Sequence, residues 1–394
     1  MKKAAFIILF ILLMLSAGTY FLTKKSFNPE INTSLSVSKA MSGGDTAGYR
    51  KALHPREFVF PPDFGPHPDY KTEWWYFTGN LQSASRRHFG FQLTIFRTAI
   101  SHSESSDSAA PSEKVSPWRS SQVYMGHFTI TDADNKKFYF FERFSRGSEK
   151  LAGAAAKPFR VWLEDWEITE IPGKESYGIP AFHLKAEDNG VLIDLTLKSL
   201  KPVVLQGNKG LSLKGPEKGN ASYYYSLTRL LTNGVIKTSN GDFSLTGFSW
   251  MDREWSTSAL GRNQAGWDWF SLQMNNSKEI MYYQMRQKNG MADSFSQGLI
   301  VNEDGSSEPI KKEDVKLEVL DYWNSPVSGK YPSGWRLSVP GKDINLEIIP
   351  YLSNQELNVS VRYWEGAVKI KGTWNNRPVE GNGYVELTGY GEVL

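Results

Sequence analysis

The residues best suited to chemistry lie in two neighbouring stretches. Residues 246–256 read TGFSWMDREWS and set Asp252, Arg253 and Glu254 between Trp250 and Trp255; shortly after, Asp268 stands between Trp267 and Trp269. Four of the chain's 13 tryptophans fall within residues 250–269, so these carboxylates are set among indole rings. Burial among rings disfavours the charged form of a carboxyl group and raises its pKa. In strand phase Asp268 shares a face with Phe270, Leu272 and Met274, which marks it as an acid kept protonated near neutrality. Such an acid can deliver a proton, and the faces of Trp255, Trp267 and Trp269 can stabilise a cation beside it. Asp252 and Glu254 are the evident activators of water if the reaction is instead ester or lipid hydrolysis. The same residues also admit a structural reading, an ion pair of Arg253 with Asp268 or with Glu254.

Other chemistry finds little support. No G-x-S-x-G elbow, H-E-x-x-H, P-loop or G-x-G-x-x-G occurs. The histidines are His54, His67, His88, His102, His127 and His183, none with metal-ligand spacing to another. Surface or hydrogen-bonded structural roles are expected for them, and neither metal nor cofactor is implied. The absence of cysteine excludes disulfides, thiolate ligands, a thiol nucleophile and a lipoprotein anchor. A net charge of +3 with dispersed basic residues gives no reason to expect a nucleic-acid partner.

The elements that must position these residues are strands. Residues 66–81, PHPDYKTEWWYFTGNL, pack Trp74, Trp75, Tyr76 and Phe77 into one short run. Aromatic residues favour the pleated strand, where Glu73, Trp75 and Phe77 share one face and Trp74, Tyr76 and Thr78 the other. Large rings on both faces require a strand covered on both sides. Residues 266–286 repeat the pattern: Trp74 aligns with Trp267, Tyr76 with Trp269 and Phe77 with Phe270. A polar turn follows in each copy (83–88 and 275–278), and a second strand ends on Arg97 or Arg286. This self-similarity indicates two related β domains in tandem, 53–257 and 258–394. Short segments such as Phe89–Phe96, Val123–Thr131, Lys137–Phe144, Val191–Leu197, Leu346–Ile349 and Leu357–Tyr363 recur between turn signals, the spacing of barrels or sandwiches. Ala152–Ala156 is too short for a stable helix. Lys2 and Lys3 precede an apolar run of about 19 residues, so residues 1–25 read as a signal peptide or a membrane anchor. Residues 26–52 read as a flexible tether and 101–117 as an exposed loop.

At HPDYKTEWWYFTGNL, FGFQLTIFR, MGHFTITD, FERFSRG, GFSWMDREW, GWDWFSLQM and GTWNNRPVEGNGYVELTGY the chain resembles the AttH/CrtC-like family, which includes the carotenoid 1,2-hydratases. The resemblance runs from about residue 54 to the end and implies an all-β fold of two tandem lipocalin-like barrels. It implies an exported or membrane-anchored protein, periplasmic or secreted, that binds a hydrophobic ligand such as a lipid or isoprenoid. An ABC-type transporter permease is the expected partner, as for the AttH-like members. Trp74, Trp75, Tyr76, Phe77, Trp255, Trp267, Trp269 and Arg253 are the expected ligand contacts, with Asp268, Asp252 and Glu254 the candidate catalytic groups. The alternatives are hydration of an isoprenoid double bond, as in the hydratases, and lipid or ester hydrolysis. The hydratases are thought to use a histidine beside an aspartate in this region. Here no histidine follows His183, and Arg253 occupies that neighbourhood.

Overall fold

The computed structural model describes residues 35–36, 46–100, 120–258 and 260–390. The apolar segment 1–25, most of the expected tether and the polar stretch 101–117 lie outside the described residues. Among the described residues no helix is long and apolar enough to cross a membrane.

Alternation of side chains along each strand organises the chain into two sheets, antiparallel except where Leu35–Ser36 runs parallel to Val361–Arg362. The first contains β1 (Thr72–Ser83), β2 (His88–Ala99), β3 (Gln122–Asp132), β4 (Lys137–Arg146), β5 (Ala152–Ala156), β6 (Phe159–Leu163), β7 (Trp166–Ser176), β8 (Ile179–Asp188), β9 (Val191–Ser199), β10 (Ala221–Thr238) and β11 (Gly241–Ser256). The second contains β12 (Gln264–Met274), β13 (Glu279–Gln287), β14 (Gln297–Val301), β15 (Ser307–Lys311), β16 (Lys316–Asn324), β17 (Lys330–Val339), β18 (Ile344–Pro350), β19 (Val361–Trp374) and β20 (Arg377–Leu387). Strand order is β4-β3-β2-β1-β11-β10-β9-β8-β7-β6-β5 in the first and β15-β14-β13-β12-β20-β19-β18-β17-β16 in the second. In both, the first strand of the aromatic hairpin pairs with the last strand of the sheet. The register agrees as well: Glu73 lies opposite Arg97, and Gly266 opposite Arg286. The repeat legible in the hairpins therefore extends to the topology of both sheets.

Each sheet curls around its own apolar core in the lipocalin-like manner expected. In the first, Arg143 of β4 reaches Asp188 of β8 at 3.3 Å, and Phe128 of β3 meets Trp166 of β7 edge-on at 5.7 Å. In the second, Phe270 of β12 meets Trp335 of β17 edge-on at 5.6 Å. Two local readings change, and a third holds, since Ala152–Ala156 forms no helix. The expected strand Leu357–Tyr363 is interrupted before Val361, where Ser360 turns to bond Glu142. The end of the expected tether is laid against the first barrel: Arg50 N–H donates to Asp69 O at 2.9 Å, and Ala52 is buried in the core. Ala152–Ala156 is a strand.

The barrels meet along the outer faces of their central strands. Gly90 of β2 lies so close to β19 that a Cβ there would come within 2.4 Å of the Ala367 Cβ. The polar contacts are reciprocal: Asn80 Nδ2 donates to Gly383 O at 2.9 Å, and Gln273 Nε2 donates to Ser249 O at 3.0 Å. Asn80 and Gln273 occupy equivalent places in the two repeats, as do Ser249 and Gly383. The seam thus follows the logic of an isologous contact, in which each copy gives what it receives. One buried ion cluster departs from this symmetry. Glu279 of β13 accepts from Arg229 Nε and Lys201 Nζ of the first barrel, both at 2.6 Å. Removing one member of such a cluster leaves buried charge without a partner. Glu279→Ala is expected to lower stability by about 3–5 kcal/mol, read from the urea midpoint. A loss near zero would show that the cluster does not hold the seam.

Candidate active site between the two barrels

Strand phase decides what reaches the seam. On β1, Trp75 and Phe77 enter the first core, and Trp74 and Tyr76 point to the second barrel. On β11, Met251, Arg253 and Trp255 turn inward, while Asp252 and Glu254 turn outward to line the space between the barrels. On β12, Phe270 and Leu272 fill the second core, and Trp267 and Trp269 face the seam. The outward set lines an open-mouthed cavity of about 80 Å³. Trp74, Tyr76, Phe96, Tyr224, Trp267, Trp269, Tyr283, Met285 and Tyr363 supply its aromatic and apolar walls. Asp252, Glu254, Glu386 and Lys214 bring charge to it.

Two carboxyl groups stand out. Burial pushes Asp252 up to about 7, against hydrogen bonds that favour its ionised form. Those bonds come from Ser226 Oγ (2.5 Å), Trp250 Nε1 (2.6 Å) and the Tyr224 hydroxyl. Burial pushes Glu386 up to about 7 as well, against hydrogen bonds from Trp267 and Glu365. The Trp267 indole N–H donates to Glu386 Oε1 at 2.6 Å. Glu365, directly across the strand pair from Glu386, is buried and held well above the usual carboxylate range by desolvation and by the Glu386 charge. The Tyr76 hydroxyl donates to Glu365 Oε1 at 2.6 Å. Asp252 and Glu386 are equivalent in the repeat, for Tyr76 pairs with Asp252 and Trp269 with Glu386. Glu254 is paired instead, with Lys214 Nζ at 3.1 Å.

Five expected site residues lie elsewhere, all because of strand phase. Asp268 faces the second core, where Arg286 Nε donates to Oδ1 at 2.9 Å and the Tyr390 hydroxyl to Oδ2 at 3.0 Å. Burial does raise its carboxyl, as expected, but it faces away from the cavity. Arg253 makes neither ion pair considered for it. Its guanidinium pairs with Glu73 and lies over the Trp75 ring, 4.0 Å from the centroid. Trp75 and Phe77 are core residues, and Trp255 stacks on His67 at 3.7 Å. Burial alone would raise the Glu73 carboxyl, but Arg253 and Arg97 hold it well below its ordinary range. Glu365, Glu386, Tyr224, Tyr363 and Lys214 were not singled out from the sequence. Extending the repeat alignment past the hairpins would have placed Glu386 over Asp252. Among the described residues no three His, Asp or Glu side chains converge as metal ligands.

Fold and site together define a double lipocalin-type barrel with an acidic, aromatic cavity at the seam. The chain belongs to the AttH-like family, whose sequence pattern matches residues 51–390. The solved structure of an AttH protein from Nitrosomonas europaea is 30% identical and covers 86% of this chain and 99% of its own, with a TM-score of 0.73. Kievitone hydratase from Nectria haematococca shares the fold at 13% identity, covering 87% of this chain and 96% of its own, with a TM-score of 0.65. In sequence, the kievitone hydratase of Fusarium solani subsp. phaseoli is 24% identical over 212 residues, 51% of this chain; the match spans 58% of that relative's length.

A raised carboxyl stabilises the fold only while it holds its proton. The folded-state pKa of Glu386 lies above that of an unfolded glutamate, so its contribution is full below about pH 4 and lost as pH rises through about 7. Glu386→Gln keeps an acceptor for Trp267 without the charge. It is expected to melt several degrees above the wild type at pH 8, with the gap closing toward pH 5. A gap that does not change with pH would show that Glu386 does not titrate in this window.

Proposed function

We propose that the cavity binds an elongated apolar ligand and that its acids add water to an isolated carbon–carbon double bond of that ligand, as a hydratase does. The observation that carries this reading is the placing of Asp252 and Glu386, both near a pKa of about 7, on one aromatic-walled cavity. Groups poised there are divided between acid and base forms at neutral pH, which suits proton transfer in either direction. One carboxylic acid gives its proton to an alkene carbon, and the π electrons form the new C–H bond. The tertiary cation left behind lies among the faces of Trp74, Trp267 and Trp269, which attract positive charge. The oxygen of a water molecule closes the C–O bond, a base of the cavity takes the proton that water sheds, and exchange with solvent restores the acid. Hydration fits the sequence likeness to a kievitone hydratase. The ligand is expected to be an isoprenoid or lipid, met outside the cytoplasm on the reading of residues 1–25, with a transporter permease as the candidate partner.

Pure ligand binding is the second reading, because the aromatic walls suit an apolar molecule with or without chemistry. The two separate in one experiment. The protein is incubated with squalene or lycopene in oxygen-labelled water, and extracts are examined by mass spectrometry. Hydration predicts a labelled alcohol, cut by at least about 100-fold in Asp252→Asn or Glu386→Gln. Binding without product, equal in wild type and variants, would reduce the function to ligand handling. Neither binding nor product would overturn both readings.

A further inference from the structure

A second constellation reaches the cavity wall from the first barrel. His127 of β3 is fully buried, a costly place for an imidazole unless both nitrogens are satisfied. Its Nδ1 lies 2.8 Å from the Tyr363 hydroxyl, and its Nε2 lies 3.1 Å from Glu142 Oε1. Glu142 sits directly across the strand pair, half-buried, and also accepts from Ser360 N–H at 3.1 Å and Ser360 Oγ at 2.5 Å. Burial would raise its carboxyl, but the bonds from His127 and Ser360 hold it below the ordinary range. An ionised Glu142 only accepts, so the imidazole proton belongs on Nε2 and Nδ1 is left as an acceptor. Gln92 Nε2 donates to the Tyr363 oxygen at 3.1 Å, which directs the phenol's own proton to His127.

The other tyrosines of the cavity differ. Tyr76 donates to Glu365 and Tyr224 to Asp252, while Tyr283 meets Ser212 and Leu213 O and accepts from Gln297 Nε2, an amide and no base, at 2.7 Å. The repeat supplies a comparison within the chain. The places equivalent to His127 and Glu142 are Gln297 and Lys311, by the pairing of Tyr283 with Gln297 and of Gln297 with Lys311. The fold therefore has no need of a base at this position.

We infer that Glu142, His127 and Tyr363 form a base relay that activates the Tyr363 phenol at the cavity wall, with Tyr363 the group that touches the ligand and the other two its positioning residues. Under the hydration reading, on which this assignment of role rests, the relay is the base that serves water. As the C–O bond forms, water's proton passes to the Tyr363 oxygen while the phenol proton passes to His127 Nδ1. The imidazolium is balanced by Glu142, from which the proton leaves to solvent.

The relay can be tested without any natural substrate. Phenylmethanesulfonyl fluoride is small and apolar and reacts with a phenol only when a base removes its proton. The phenol oxygen bonds to sulfur, the S–F bond breaks, fluoride departs and the proton goes to His127. Peptide mapping of the labelled full chain is expected to find the adduct at Tyr363 in preference to Tyr76 and Tyr224. His127→Gln should slow labelling about 100-fold. Glu142→Gln, which keeps the side chain's shape and an acceptor for His127, should slow it by a smaller factor. A labelling rate at Tyr363 unchanged in both variants, or no adduct there in the wild type, would overturn the relay. Relay-dependent labelling without hydration of squalene or lycopene would leave the relay standing and sink the hydration reading. Hydration that is indifferent to Glu142→Gln and His127→Gln would do the reverse.

Discussion

Two curled sheets that press their outer faces together lose stability for each polar group that neither finds a partner nor gives up its charge. That constraint shapes this protein. The central strands of both barrels are covered on both sides, and the groups caught between them are dealt with in three ways. Asn80 and Gln273 bond to backbone carbonyls of the opposite barrel. Glu279 is matched by Arg229 and Lys201. Among the described residues no ion pair is made by Asp252, Glu365 or Glu386, and desolvation raises all three carboxyl groups. The acidity of the cavity is thus a consequence of how the barrels meet.

The duplication explains why acids come in corresponding places and why their surroundings differ. Equivalent strands bring Asp252 and Glu386 to the same cavity from opposite sides of the seam. The neighbours then diverge: Ser226 stands beside Asp252 where Glu365 stands beside Glu386, and the tyrosines at 224 and 363 have different partners. A symmetric scaffold with unlike neighbours can give two similar acids separate roles. Tyr363 of the second barrel meets an imidazole, His127 of the first, where Tyr224 meets the Asp252 carboxyl.

The inner ends of the barrels use charge differently. Glu73 with Arg97 and Arg253, and Asp268 with Arg286 and Tyr390, are buried clusters in which opposite charges answer each other. The two guanidiniums hold Glu73 ionised, whereas burial still raises Asp268 despite Arg286, and Asp268 faces a core where no ligand reaches it. This separates Asp268 from Asp252, though both stand among tryptophans in the sequence.

Much was legible from residue order. The β class, the repeated aromatic hairpin, its turns and the alternation along each strand follow from local propensity and the two-residue period of a pleated strand. That period correctly grouped Trp75 with Phe77, Trp74 with Tyr76, and Asp268 with Phe270. It could not say which group enters a core, because both faces of β1 carry large rings and hydropathy does not distinguish them. Only the docking of the second barrel decided that Trp74 and Tyr76 face a cavity and that Asp268 does not. The partners were equally out of reach: Tyr76 and Glu365 are 289 residues apart, and His127 and Tyr363 236 apart. A side chain's pKa depends on the water it loses and the charges brought beside it, and for this site both are set by the packing of one sheet on another.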